Sequence, residues 1–341
     1  MTRVMSDASP ASPELSRVFA EEQRLLFGLC YRMTGSAADA EDIVQETFAR
    51  ALARPPARTD APWRPWLVRV ALNLARDELR RRKRRAYKGP WLPEPVEDAE
   101  LVEPAHEPAA TAGRYELVES VSFAFLLALE ALSPAQRAVL LLRDVFEYTS
   151  AETAQALDLS EANARVLLHR ARRAMAEYDK TRVAPDPSAR ERSVELVTRF
   201  MACFAKQDVA GMEALLAEDV VTLNDTNGRY PAAGVPVVGR AKVARFHAGI
   251  ARLREGQSPR ATLRWLNGAP AVVVEFEPPP TDRLAPRFVT LGELDAEGRV
   301  RRIYTVLAPE KLARVIPALS PSGTGSPPSP RRTRRAPRRR A

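Results

Sequence analysis

The feature that most constrains the fold is a run of helix starts at short intervals between residues 133 and 175. SPAQ at 133–136 has a capping serine, a proline at the first helical position and a glutamine three residues after the cap. TSAE at 149–152 repeats the capping pattern, and Ser160 opens another helix directly after the turn at 158–159. Two short helices joined by so tight a turn, the second one basic, predict a helix-turn-helix.

The helix that begins at Ser160 has two contrasting faces. Its buried stripe is expected to contain Ala164, Leu168, Ala171 and Met175. The outward face then holds Asn163, Arg165, Val166, His169, Arg170, Arg172 and Arg173. An amide and arginines near a helix N-terminus suit the base edges and phosphates of a major groove. A merely solvated basic face is the alternative, and the capped helix before it favours DNA.

Residues 37–54, AADAEDIVQETFARALAR, predict an amphipathic helix. Its buried face is expected to contain Ile43, Val44, Thr47, Phe48, Ala51 and Leu52. Asp39, Asp42 and Glu46 form an acidic stripe on the opposite side. Acids in a first helical turn also complement the helix dipole. The helix dipole accounts for the two aspartates but does not easily account for Glu46.

A second helix with a patterned surface is predicted at 66–85, WLVRVALNLARDELRRRKRR. One face should hold Leu67, Val70, Ala71 and Leu74, and the other Arg69, Asn73, Arg76 and Arg80. Trp63 and Trp66 stand at its start. Aromatic rings beside an arginine stripe are typical of proteins that hold single-stranded or melted DNA. Burial of both tryptophans in the core is the alternative.

The positive charge of the chain is concentrated in two places. The formal net charge is +9, and seven arginines stand in the last eleven residues. The other concentration, 80–85, ends a helical pattern, and residues 89–113 then contain six acids, five prolines and no Lys or Arg. Charge concentrated on one element is typical of a binding site, so the run at 80–85 indicates a polyanionic partner better than the tail does. The arginine-rich tail is expected to be disordered and to add phosphate affinity.

Several function classes are not expected. Cys30 and Cys203 lie in apolar helical patterns without a CxxC partner, and the three histidines are far apart, so we expect neither a metal site nor a cofactor. No apolar run reaches the roughly 18 residues of a membrane span. The N-terminus lacks the apolar core of a signal peptide. A cytoplasmic protein is predicted.

The pattern changes after VAPDPSA at 183–189, which is expected to be a linker. From Ser193 the sequence predicts a helix, a short helix and a strand. Four β-branched runs then predict strands: ATLRWLN, AVVVEFE, RFVTLGELD and VRRIYTVL, with a turn at 296–298. Helix is also expected at 120–131. The chain thus predicts two helical regions followed by an α+β domain.

Three blocks of the sequence resemble the extracytoplasmic-function class of bacterial RNA polymerase sigma factors and follow one another in the same order as in that class. The blocks are DAEDIVQETF, WLVRVALNLARDELRRR and LSPAQRAVLLLRDVFEYTSAETAQALDLSEANARVLLHRARRAM. The resemblance covers about residues 15–180 and implies two all-α domains. It implies that the first block docks on the clamp coiled coil of the polymerase's largest subunit. The residues implied in that contact are Asp39, Asp42, Gln45 and Glu46.

The same resemblance assigns DNA contacts. The helix at 66–85 would hold the melted −10 element through Trp63, Trp66, Arg69, Asn73, Arg76 and Arg80. Asn73 and the loop 54–63 would form a pocket for a flipped base. The −35 element would be bound by Asn163, Arg165, His169, Arg170 and Arg173, with the first two best placed to read bases.

The C-terminal region resembles the cone-shaped SnoaL-like α+β domain, which implies a cyclase or a small-ligand pocket. WLPEP, comprising Trp91, Leu92, Pro93, Glu94 and Pro95, matches a linker motif of sigma factors with this extension. DTNGR at 225–229 resembles their glycine-rich stretch, with Thr226 and Asn227 where glycines are usual, and APEKL at 308–312 resembles a closing Asn-Pro-Asp-Lys-Leu. The motif residues are Asp225, Gly228, Arg229, Pro309, Lys311 and Leu312.

We therefore predict a promoter-specificity subunit that is regulated by its own C-terminal domain, through WLPEP, and that is not an enzyme. The expected regions are 12–88 for polymerase and −10 binding, 89–114 as linker, 115–182 for −35 binding, 190–316 as the SnoaL-like domain and 317–341 as tail. The alternative is a SnoaL-like cyclase or isomerase fused to a DNA-binding module, with His247 and Asp225 as its candidate acid-base residues. A repressor-type protein would leave the first two blocks unexplained.

Overall fold

Three helices form the N-terminal helical domain of the computed structural model, which describes residues 13–56, 62–82, 87–101, 114–182, 187–277 and 283–317. The helices are α1 (Pro13–Thr34), α2 (Ala37–Ala53) and α3 (Arg64–Arg82). Gly35, at a φ of 66°, makes the sharp turn between α1 and α2, and the Ser36 hydroxyl caps α2 by accepting from the backbone N–H of Asp39. A short helix α4 (Asp98–Leu101) follows in the linker.

The middle helical domain contains the expected helix-turn-helix. Its elements are a 3-10 turn (Glu119–Val121), α5 (Phe123–Leu129), α6 (Pro134–Asp144), α7 (Ser150–Leu157), α8 (Glu161–Ala174) and α9 (Ala176–Thr181). Both capping boxes are confirmed, and Asp158 ends α7 in the left-handed conformation. The helix expected at 120–131 is shorter than predicted, because Ser122 caps a new start at Phe123.

The C-terminal domain packs helices against one six-stranded sheet. Its elements are α10 (Pro187–Ala205), α11 (Val209–Leu215), β1 (Leu216–Asp225), β2 (Val237–Val238), α12 (Arg240–Leu253), β3 (Pro259–Leu266), β4 (Ala269–Phe276), β5 (Arg287–Leu294), β6 (Val300–Val306) and a 3-10 turn (Pro309–Leu312). The sheet order is β2-β1-β6-β5-β4-β3. The four predicted strands are confirmed as β3 to β6. β1 and β6 pair in parallel across a long connection, whereas the other neighbouring strands of the sheet pair antiparallel.

One apolar core runs through both helical domains. It joins Leu26 and Leu72 of the first domain to Val139 and Leu168 of the second without interruption. The predicted stripe of α8 is buried as expected. On α2, the prediction that Leu52 is buried is wrong, because this residue is 59% exposed.

Helix α3 buries a different stripe from the one expected. Leu67 and Ala71 are buried, whereas Val70 and Leu74 are only half-buried. Val68 is buried instead, as are Leu72, Ala75 and Leu79. The helix lies against α1 and α2 on one side and α6 and α7 on the other. Its apolar surface is therefore wider than a single stripe.

The two faces of the sheet are covered by different parts of the chain. Val300 and Ile303 face α10, α11 and α12 within the domain. On the other face, Val289 and Tyr304 pack against Leu92 of the linker and Phe123 of α5. The C-terminal domain is thus joined to the helical domains through the face of its sheet that its own helices do not cover.

Candidate nucleic-acid and polymerase interfaces

The basic face of α8 is open to solvent. The predicted −35 residues Asn163, Arg165, His169, Arg170 and Arg173 are all exposed. Arg172 differs from them, because its guanidinium donates two hydrogen bonds of 2.6 and 2.9 Å to the buried carboxylate of Asp144 on α6. These hydrogen bonds raise the pKa of Arg172. Arg172 therefore fixes α8 on α6 and leaves the other basic side chains available.

An acidic groove of about 480 Å³ lies between α2 and α3. It brings together all four residues predicted to contact polymerase: Asp39, Asp42, Gln45 and Glu46. Leu74, Glu78 and Arg81 of α3 form the other wall. A groove with an apolar floor and acidic sides suits a basic helical partner.

The polar face of α3 carries the predicted −10 residues in one row. Arg69, Asn73 and Arg80 are exposed, and Arg76 is half-buried. Burial lowers the pKa of Arg76, and the neighbouring charge of Arg80 lowers it further. Trp63 and Trp66 are half-buried and pack against the helical core, which is the alternative that the sequence left open. A stacking role for the two rings stays a prediction.

The start of α8 lies next to the polar face of α3, so the two faces predicted to bind DNA are neighbours. A guanidinium nitrogen of Arg69 on α3 is 3.4 Å from a carboxylate oxygen of Asp158, the residue between α7 and α8. Both side chains are substantially exposed, so this pair contributes little to stability. It does, however, locate the start of α8 beside the face of α3 that is predicted to hold melted DNA.

The WLPEP segment (Trp91–Pro95) is fastened to the N-terminal helical domain. The Glu94 carboxylate accepts from the Ser36 hydroxyl (2.8 Å) and from the first backbone N–H groups of α2, at Ala37 (2.8 Å) and Ala38 (3.1 Å). Burial raises the pKa of Glu94, and these hydrogen bonds oppose that rise. The Trp91 ring lies so close to Gly35 that a Cβ there would be 2.5 Å from it.

The other side of WLPEP meets a buried ion pair of the C-terminal domain. Lys311 and Asp225 are 2.7 Å apart, with side-chain exposures of 7% and 0%. The Leu92 N–H donates to Asp225 (2.8 Å), the Lys311 amine donates to the Leu92 carbonyl, and the Tyr87 hydroxyl donates to Asp225 (2.6 Å). Burial lowers the pKa of Lys311, and the Asp225 charge opposes that. The pair thus grips the linker backbone at Leu92.

Asn267, at the turn between β3 and β4, contacts all three other parts of the chain. Its side-chain oxygen accepts from the Val96 N–H of the linker (2.9 Å). Its side-chain nitrogen donates to the Tyr31 hydroxyl of α1 (2.6 Å) and to the Val121 carbonyl of the middle domain (2.8 Å). Asn267 is 1% exposed and has a φ of 55°, as an Asn-Gly hairpin turn requires. The turn at 267–268 thus lies at the junction of the N-terminal domain, the linker and the middle domain and bonds to all three.

Arginines also join the two helical domains at the C-terminal end of α1. Arg137 of α6 donates to the Met33 carbonyl (2.6 Å), and Arg82 of α3 donates to the Thr34 carbonyl of its own domain and to the Glu130 carboxylate of the middle domain (2.7 Å). Arg32 reaches the Ser120 hydroxyl of the middle domain at 2.7 Å. The last carbonyls of a helix lack intrahelical donors and carry partial negative charge, so guanidinium groups suit them.

Comparison with known proteins places the two helical domains in one family. Residues 18–85 match the model for Sigma-70 region 2, and residues 122–175 match the model for Sigma-70 region 4. The chain is 35% identical over 305 residues to ECF RNA polymerase sigma factor SigJ of Mycobacterium tuberculosis, covering 87% of this chain and 93% of that protein. The chain is an extracytoplasmic-function sigma factor.

Two further similarities extend the comparison. The sigma factor is 36% identical over 235 residues to ECF RNA polymerase sigma factor SigG of Mycobacterium tuberculosis, covering 62% of this chain and 61% of that protein. Its structure resembles the crystal structure of Mycobacterium tuberculosis SigJ with a TM-score of 0.65 and 31% identity, covering 87% of this chain and 98% of that one. The resemblance therefore includes the C-terminal domain as well as the sigma regions.

The remaining motif residues of the sigma factor lie around the linker contact. Gly228, at a φ of 72°, approaches Lys88 so closely that a Cβ there would be 2.8 Å from its side chain. Leu312 is buried with Leu92, and Pro309 begins the 3-10 turn that carries Lys311. Arg229 is exposed. Sequence reasoning did not single out Asn267, Tyr31, Arg82 or Arg137, although the Asn-Gly pair at 267–268 was a readable hairpin signal.

The alternative of a fused enzyme is not favoured. Burial lowers the pKa of His247 to about 4, and the ring is surrounded by Phe200, Phe204 and Phe246 at centroid distances of 5.4, 6.3 and 5.4 Å. The Asp225 carboxylate is occupied by Lys311 and the linker. Neither residue is arranged as a general base with a partner.

Parts of several predictions lie outside the described residues. These parts are the middle of the loop 54–63, the end of the basic run at 83–85, the linker at 102–113, the first four residues of the linker predicted at 183–189 and the tail from 318 onward. The last three residues of that second linker belong to α10, which begins at Pro187. Among the described helices none is both long and apolar enough to cross a membrane. The described part of the chain also has no cluster of metal-ligating side chains.

Proposed function

We propose that this sigma factor directs core RNA polymerase to promoters, and that its C-terminal domain holds it in a closed arrangement that cannot engage both promoter elements. The contact between Arg69 and Asp158 carries the proposal. The −10 and −35 elements lie roughly 25 base pairs apart, about 85 Å at 3.4 Å per base pair. Because α8 begins beside α3, the two faces cannot span that distance, and the helical domains must separate to bind both elements.

The closing role of the C-terminal domain is supported by where its contacts fall. Asn267 bonds to the N-terminal domain, the linker and the middle domain at once. The ion pair of Asp225 and Lys311 grips Leu92, whose side chain is buried in the sheet core. Because the domain is covalently attached, its effective concentration is on the order of millimolar. No separate anti-sigma factor is needed for closure.

Polymerase binding is assigned to the acidic groove with Asp39, Asp42, Gln45 and Glu46 on one wall. Three of these side chains are exposed in the closed arrangement, as are the −35 residues of α8. We infer that the polymerase meets the closed factor at this groove and that opening follows. The protein would act in the cytoplasm, where the polymerase works.

The DNA contacts divide by chemistry. Asn163 and Arg165, in the first turns of α8, are assigned to base edges, and His169, Arg170 and Arg173 to the phosphates of the −35 element. Trp63, Trp66, Arg69, Asn73, Arg76 and Arg80 are assigned to the melted −10 strand.

A small polar ligand inside the C-terminal domain stays a prediction from the SnoaL-like resemblance. Thr222 and Asn224 of β1 and His247 of α12 each have a buried polar side-chain atom without a hydrogen-bond partner in the described structure. Because α12 packs on β1 and buried polar groups are ordinarily satisfied, a ligand between these two elements would offer such atoms a partner.

The test is run-off transcription with core polymerase on genomic promoter fragments, comparing the full chain with a chain that ends before α10 at Pro187. We expect the shortened chain to give higher output, because no C-terminal domain then holds Leu92 of the linker and joins the two helical domains. Equal output under every condition would refute the closing role. Failure of the full chain to bind core polymerase would refute the whole proposal.

A further inference from the structure

A cavity of about 210 Å³ lies where the N-terminal helical domain, the linker and the middle helical domain meet. Neither polymerase nor promoter recognition accounts for it. Its lining comes from all three segments: Leu79 and Arg82 of α3 with Tyr87 just before the linker, Trp91 of the linker, and Glu130, Leu132, Pro134 and Arg137 of the middle domain. We refer to it as the junction cavity.

The lining of the junction cavity has more positive than negative charge. Arg82 and Arg137 share a single carboxylate oxygen of Glu130, at 2.7 and 3.0 Å. The neighbouring Lys311 and Asp225 neutralise each other, and the Tyr87 hydroxyl is engaged with Asp225. Two guanidinium groups therefore face one carboxylate.

Arg137 is the least satisfied of these groups. It is 3% exposed, and its Nε is buried with no hydrogen-bond partner in the described part of the chain. Its other nitrogens donate to the carbonyls of Met33 and Leu129 and to Glu130. Burial lowers the pKa of this guanidinium, as expected where a charge lacks full compensation. Arg137 therefore adds positive charge to the cavity wall, and Glu130, which it shares with Arg82, offsets only part of the charge of the two guanidinium groups.

We propose that the junction cavity binds a small organic monocarboxylate with an apolar body. The carboxylate would accept from the guanidinium groups, which suit planar bidentate anions. The body would lie among Leu79, Leu132 and Pro134 beside the Trp91 ring. An inorganic anion would leave these apolar walls uncovered. The volume is below the range of about 300 to 1,000 Å³ for drug-sized ligands, so a single ring or a branched chain fits best.

The ligand would also stabilise closure, an effect that rests on the proposed function, whereas binding itself does not. Only the closed arrangement brings the three walls together. A ligand that binds one state alone raises the ratio of that state to the other by a factor of 1 + [L]/Kd, or about 100-fold at a concentration 100 times Kd. Such a carboxylate is therefore a co-inhibitor of transcription.

The binding test uses benzoate as the probe and benzamide as its uncharged counterpart. Benzoate should bind the full-length protein with a Kd of about 1 mM or below, a value that ligand efficiency allows for so small a molecule. Benzamide should bind about tenfold more weakly, because a hydrogen bond to a charged group is lost. Leu132→Trp fills the cavity and should abolish binding. Leu253→Trp, at a side chain that is 70% exposed, is the matched control.

A second measurement avoids any effect of substitution on folding. In the ¹⁵N spectrum of the wild-type protein, the Trp91 indole N–H signal, assigned through its loss in Trp91→Phe, should shift saturably with benzoate. The signal of Trp265, which does not line the cavity, should stay in place. The proposal is overturned if the Trp91 signal does not move, or if benzamide binds as tightly as benzoate. If benzoate binds but transcription with core polymerase is unaffected, the cavity is a ligand site and the closing role fails.

Discussion

Replacement of Asn267 by glycine tests the closed arrangement at a single side chain. The substitution removes the three hydrogen bonds to Val96, Tyr31 and Val121 but keeps the left-handed backbone, which glycine adopts without strain. Each hydrogen bond contributes about 0.5 to 1.5 kcal/mol net, and more where a buried partner is left unsatisfied. The sum is about 3 kcal/mol. The ratio of closed to open protein should therefore fall about 100-fold.

Hydrogen exchange of the Leu92 amide in the linker measures this change. The Leu92 N–H donates to Asp225 of the C-terminal domain, and the substitution does not touch that partner. Because this amide exchanges when the domain junction opens, its rate should rise about 100-fold in Asn267→Gly.

The matched control is Asn227→Gly. Asn227 also has a left-handed backbone, with a φ of 46°, but its side chain is exposed and bonds to Glu310 within the same domain. It should leave the exchange rate of the Leu92 amide unchanged. If the Leu92 amide of Asn267→Gly exchanged at the wild-type rate, or if the control substitution accelerated its exchange equally, the Asn267 side chain would not hold the domains together.

Three further predictions concern pH, polymerase and DNA. Burial raises the pKa of Glu293 to about 7 where this carboxyl meets Tyr304 and α5, so the closed form holds the proton more tightly than the open form. Closure should therefore be strongest below pH 4.5, weaken by about 1.4 kcal/mol per pH unit up to pH 7 and then level off. In spin-label distance measurements, Glu293→Gln should abolish this dependence on pH. Glu46→Lys in the acidic groove should weaken core-polymerase binding in a titration, while Glu218→Lys, exposed on β1, should not. Arg173→Ala should lower the slope of log binding constant against log salt concentration by about 1 for all DNA sequences. Asn163→Ala should instead weaken the binding free energy by about 1 to 3 kcal/mol, and only on the cognate −35 element. Equal losses on unrelated DNA would contradict base reading by Asn163.

Local sequence signals predicted the local structure well. The caps at Ser133, Thr149 and Ser160 mark helix starts because they satisfy orphan N–H groups within one turn, so no distant partner is needed. The four C-terminal strands follow in the same way from β-branched runs. The row of acids on α2 was also legible, since helical spacing alone places them on one face.

Features that depend on distant partners were not predictable. Asn267 and Gly268 indicate a hairpin turn, but the residues next to them in the sequence do not indicate that the turn lies at a junction between domains. Arg82 belongs to a basic run that resembles a DNA contact, yet it bonds to Thr34 and Glu130 and lies 4.3 Å over the Trp91 ring. The parallel pairing of β1 with β6 depends on the path of the intervening chain.

The central claim, that the free factor is closed and opens on the promoter, is tested most directly by one distance. Spin labels at Ala53→Cys on α2 and Ala162→Cys on α8, both exposed, would be placed in a Cys203→Ser background; Cys30 is fully buried. The account predicts a short, narrow distance distribution in the free protein. With core polymerase and promoter DNA, the distance should lengthen by tens of ångströms, as the separation of about 85 Å between the promoter elements demands. An unchanged distance in the promoter complex, or an already extended free protein, would contradict it.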